Sequence, residues 1–61
     1  MLTYEIEVYR DGRWYMIRVS ELDGLTQARH PGEIDDMARS YIAVSTDQPI
    51  DTIAVRIASW E

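Results

Sequence analysis

A chain of 61 residues with no cysteine, one histidine and a formal net charge of −5 makes one small domain, whose core leaves little margin over chain entropy. Disulfides and thiolate metal sites are excluded, and a lone imidazole cannot hold a structural zinc. The hydrophobic fraction of 46% is too high for a disordered chain at this charge, so the remaining stability is expected to come from self-association or a partner.

Residues 3 to 10 alternate, with Tyr4, Ile6 and Val8 on one side and Glu5, Glu7 and Tyr9 on the other, the period of a half-buried strand. Asp11-Gly12 follows, and Asp-Gly between two alternating runs is a strong hairpin signal. Taking those two residues as a type I′ loop pairs Tyr9 with Trp14, Val8 with Tyr15, Glu7 with Met16, Ile6 with Ile17, Glu5 with Arg18 and Tyr4 with Val19. That register sorts apolar and polar residues onto opposite faces. Its one discordant pair sets Arg10 against Arg13.

Ser20 to Gly24 reads as a turn and Leu25 to Arg29 as a short polar edge strand. Pro31 suits the first position of a helix, and Glu33, Asp35 and Asp36 place negative charge where the helix dipole favours it. Ile34, Met37, Ala38, Tyr41 and Ile42 form one apolar stripe. The helix is predicted to end near Val44 to Thr46, ahead of Asp47-Gln48-Pro49. Thr52 to Ser59 reads as the last strand, with Ile53, Val55 and Ile57 towards the core and Ala54, Arg56 and Ala58 away from it. The order β-β-β-α-β, with a right-handed parallel crossover, predicts an α+β domain spanning residues 1–61. Its mixed four-stranded sheet has the order 3-2-1-4 and one helix on one face.

No run reaches the roughly eighteen apolar residues that a membrane span needs, and Met1-Leu2-Thr3-Tyr4-Glu5 lacks the layout of a signal peptide. A cytoplasmic protein with no membrane role is expected. The arginines at 10, 13, 18, 29, 39 and 56 are dispersed among eleven carboxylates, which disfavours direct nucleic-acid binding and suits a basic protein partner.

One helix covers one sheet face. The other is predicted to carry Tyr9, Trp14, Met16, Arg18 and Arg56, joined by Trp60 if the alternation of the last strand continues. Tryptophan, tyrosine, methionine and arginine are enriched at interfaces, so these six residues are the candidate protein-binding surface and the expected site of homo-oligomer formation. Pure cross-strand packing of Tyr9 and Trp14 is the plainer alternative.

No catalytic, cofactor or metal site is expected. Glu5 and Glu7 point to the sheet face away from the helix, and Asp35 and Asp36 flank the exposed side of the helix, so these carboxylates do not converge on a metal. His30 has no partner positioned for proton transfer. Ser20, Ser40, Ser45 and Ser59 belong to no nucleophile motif, and Gly12, Gly24 and Gly32 have turn or helix-start explanations rather than a phosphate-loop spacing.

The stretch from Gly12 through Ser20-Glu21-Leu22-Asp23-Gly24 and Thr26-Gln27, followed by Glu33-Ile34-Asp35-Asp36-Met37-Ala38, resembles the HicB antitoxin family. In that family an aromatic strand leads into a Pro-Asp/Glu-Leu-x-Gly turn, a Thr-Gln pair and an acidic helix start. Ser20 stands where the family often has proline. The resemblance covers about residues 3 to 58. It implies a partial RNase H-like fold without nuclease activity, neutralising by occlusion a small basic mRNA-cleaving toxin of the HicA type. Many members continue into a helix-turn-helix or ribbon-helix-helix domain, whereas this sequence ends at Glu61, so a short form lacking DNA autorepression is expected. The alternative is a stand-alone homodimeric structural or adaptor protein, such as a phage-encoded one, with no toxin partner.

Overall fold

The computed structural model describes residues 1–61 and has strands β1 (Leu2–Asp11), β2 (Trp14–Val19), β3 (Gly24–Ala28) and β4 (Ile53–Trp60), with helix α1 (Ile34–Thr46) between β3 and β4. The strand order is β3-β2-β1-β4. β1 pairs antiparallel with β2 and parallel with β4, so the sheet is mixed and its topology is the one predicted. Short 3₁₀ turns at Ser20–Leu22, Pro31–Glu33 and Ile50–Thr52 join the elements. No helix is long and apolar enough to cross a membrane.

The hairpin register differs from the predicted one by two residues. Asp11 pairs with Trp14, Arg10 with Tyr15, Tyr9 with Met16, Val8 with Ile17 and Glu7 with Arg18, which leaves Gly12 and Arg13 as the loop. Positive φ occurs there at Gly12 alone, at 62°, as a type II′ turn needs at its first central residue. The physical reason lies in Arg10. The predicted loop would have set it against Arg13; the observed one lays its guanidinium 4.5 Å from the Tyr15 ring centroid and lets it donate to the Gly12 carbonyl at 3.0 Å. Because side chains alternate with period two, a shift of two residues leaves every residue on its predicted face.

The core contains Ile6, Val8, Ile17, Val19, Ala28, Ile34, Ala38, Ile42 and Ile53. Of the predicted helix stripe, Ile34, Ala38 and Ile42 are buried and Tyr41 is half-buried, but Met37 stays 38% exposed. At 1.5 Å per residue the 13-residue helix spans about 20 Å, and it packs on β3, β4 and β2. Ile57, predicted as core, lies on the edge strand and borders a cleft that separates it from Ile34 at the start of the helix, so it is 45% exposed. The helix ends as expected at Thr46. Asp47 adopts a left-handed conformation (φ 56°) and its N–H donates to the Ala43 carbonyl, satisfying a terminal acceptor.

β3 begins one residue earlier than predicted, at Gly24, because Asp23 closes the preceding turn in a left-handed conformation (φ 50°). Gly24 lies beneath the helix, where a Cβ would overlap the ring and hydroxyl of Tyr41. Gly24→Ala is therefore expected to lower stability by about 1–3 kcal/mol, the usual range for overpacking. Thermal unfolding in a Tyr41→Ala background checks the cause: the alanine at 24 should cost clearly less there, and an equal cost in both backgrounds would refute the contact.

Candidate protein-binding site

The candidate surface is built by strand alternation. β1 residues facing away from the helix are Thr3, Glu5, Glu7, Tyr9 and Asp11, and register carries the same face onto β2 at Trp14, Met16 and Arg18. It continues onto β3 at Leu25 and Gln27, and onto β4 at Ala54 and Arg56. Five of the six predicted residues, Tyr9, Trp14, Met16, Arg18 and Arg56, thus share one uncovered sheet face. Tyr9 is opposite Met16 rather than Trp14. Trp14 is displaced to the end of the strand, where the Arg29 guanidinium stands 6.0 Å from its ring centroid. Arg13, Trp14 and Arg29 border a shallow cleft of about 330 Å³.

Trp60 is the exception. Ile57 is in register with Ile6, but Ser59 with Glu7 and Trp60 with Val8, so a bulge adds one residue to β4. An extra residue reverses the alternation beyond it. Trp60 is thereby turned to the helix side, where its ring packs against Tyr15 at 5.9 Å between centroids and 47° between planes. The Glu61 N–H then donates to the Val8 carbonyl at 2.8 Å. Apolar periodicity carries no sign of the bulge, since Ala58 and Ser59 are small enough to face either way.

The surface also includes Leu25, 51% exposed and in register with Arg18. Reading β3 as a polar edge strand had left it aside; carrying the register one strand further would have found it.

Charge on this face is largely self-neutralised. Arg18 pairs with Glu7 at 3.6 Å and Arg56 with Glu5 across to β1. Such exposed pairs contribute little stability, about 0–1 kcal/mol each, but they leave an apolar platform without a dominant sign. On the helix, Arg39 donates to Asp35 at 2.8 Å and Asp36 at 3.0 Å. The hydrogen bond donated to Asp36, with the field of Asp35, raises the Arg39 pKa above its already high ordinary value. His30 is exposed and 3.5 Å from Glu33. No group of three or more His, Cys, Asp or Glu side chains is placed to hold a metal ion.

The unpaired charges segregate. Asp11, Glu21, Asp23, Asp47, Asp51 and Glu61 take part in no ion pair. Four of these six, Glu21, Asp23, Asp47 and Asp51, occupy the connections at the end of the sheet where β1 and β4 begin and β2 finishes. Arg10, Arg13 and Arg29, the arginines without a carboxylate partner, lie at the opposite end, around the hairpin tip, together with the other two unpaired carboxylates, Asp11 and Glu61. Dispersal along the chain concealed this grouping, which pairing across strands creates. Comparison with protein-family models, curated proteins and solved structures finds no significant match.

Proposed function

We propose that the chain is a non-catalytic, cytoplasmic protein-binding module of the HicB antitoxin kind, which neutralises a small basic toxin by covering its working surface. The observation that carries this reading is the uncovered sheet face. Tyr9, Met16 and Trp14 lie on it in adjoining rows towards the hairpin tip, with Leu25 on the β3 edge and the Glu7–Arg18 and Glu5–Arg56 pairs in the rows beside them, an exposed cluster of the aromatic, methionine and arginine side chains that interfaces favour.

The sign of the partner follows from the rest of the surface. With a net charge of −5 and four unpaired carboxylates at one end, the protein attracts a basic partner at long range and repels polyanions there. The HicB-like turn and helix start supply the chemical class of that partner, a basic ribonuclease. Co-expression with a small basic protein encoded beside this gene tests it: such a reading frame, a stable complex and relief of growth inhibition are expected. If no complex forms, the stand-alone homodimeric adaptor becomes the better account.

A further inference from the structure

We infer that a second copy of this chain docks on the outer edge of β4, antiparallel and two-fold symmetric, joining two four-stranded sheets into one. The two edges of the sheet are unlike. β3 is five residues long and polar in its middle at Thr26 and Gln27, a short edge of the sort that resists pairing. β4 is eight residues long, contains neither lysine nor proline, and has Arg56 as its one charged side chain. That arginine is drawn inward to Glu5 on β1, so it does not guard the edge.

Beside the edge is an apolar cleft of about 360 Å³ lined by Ile6, Pro31, Ile34, Val55, Ile57 and Trp60. The one carboxylate bordering it, Asp35, is held by Arg39. Ile57 and Trp60 are 45% and 49% exposed there, and Ile50, just ahead of the strand, is 43% exposed. An unpaired strand edge specifies an extended strand as its occupant, through main-chain hydrogen bonds, and an apolar flank requires that strand to be apolar on the same side.

β4 itself meets both conditions, and charge selects the register. A two-fold axis through Arg56 would set two arginines directly opposite, and one through Ile57 would draw the bulge into the pairing. With the axis through Val55, Ile53 faces Ile57 of the second copy and Ala54 faces its Arg56, so no like charges meet. The same register carries Trp60, displaced by the bulge, towards the Ile50–Thr52 turn of the second copy. Ile57, the exposed apolar residue within the paired stretch, thereby gains an apolar neighbour, and the interface is isologous as two-fold symmetry demands.

Sedimentation equilibrium of the full chain tests this. A reversible dimer is expected at micromolar concentration. Ile57→Lys should weaken it by about tenfold or more, whereas Val44→Lys, on the exposed face of the helix, should leave it unchanged. Ala54→Glu should tighten it, because the new carboxylate faces Arg56 of the second copy twice per dimer. If circular dichroism shows that Ile57→Lys does not fold, the response of Ala54→Glu decides. A monomer at high concentration, a dimer lost in Val44→Lys but indifferent to Ile57→Lys, or weakening by Ala54→Glu overturns the inference.

Discussion

Ile42→Ala is expected to lower the unfolding free energy by about 2–5 kcal/mol, the range measured when a buried isoleucine is truncated and its cavity persists. Ile42 is fully buried, and the core to which it belongs has only nine residues. A domain of this length has a total stability of about 3–9 kcal/mol, at about 0.05–0.15 kcal/mol per residue. One truncation therefore removes a large share of it. Urea unfolding should show a lower midpoint with an unchanged slope. Val44→Ala on the same helix is the control, since Val44 is 85% exposed and surface changes of this kind stay within about 0.5 kcal/mol. Equal midpoints for the two variants would contradict the packing described above.

Met16→Asp is expected to weaken the complex with a basic partner by about 2 kcal/mol or more, roughly thirtyfold, as loss of a central interface anchor does. Met16 sits between Tyr9 on β1 and Gln27 on β3, near the middle of the uncovered face. A carboxylate there must be desolvated when the partner closes over it. The effect should appear in the dissociation rate. The paired change Asp47→Asn and Asp51→Asn should instead slow association and flatten its salt dependence, because those carboxylates act through the long-range field, which a Debye length of about 10 Å at 0.1 M salt screens. Stopped-flow and surface-binding kinetics separate the two. A complex insensitive to Met16→Asp would remove the sheet face from the binding surface.

Self-association and partner binding use different surfaces in this scheme, the β4 edge and the sheet face. The dimer joins two uncovered faces into one broader surface, so both activities are compatible in the same molecule.

Local signals in the chain were strong enough to reveal the four strands and the helix. Alternation at Tyr4, Ile6 and Val8 could be satisfied only by a strand with one buried face, and Ile34, Ala38 and Ile42 only by a helix lying on it. The dipeptide Asp11-Gly12 announced a hairpin, and the parallel crossover from β3 through α1 to β4 left the order 3-2-1-4. Five of the six candidate interface residues followed from alternation alone, because a register shift of two cannot move a side chain to the other face.

What remained depends on contacts between residues distant in sequence. Stacking of Arg10 on Tyr15 accompanies the choice of Gly12-Arg13 over Asp11-Gly12 as the loop. Pairing with β1 places the bulge in β4 and turns Trp60 towards Tyr15, and a cleft between the edge strand and the start of the helix leaves Ile57 exposed. The gathering of four unpaired carboxylates at one end of the sheet and of the three unpaired arginines at the other likewise arises from which arginine meets which carboxylate across the sheet. Hydrophobic period and turn chemistry act within a few residues and can be read along the chain, whereas register, bulge position and ion pairing are set by energies of about a kcal/mol shared between strands and exist only once those strands have met.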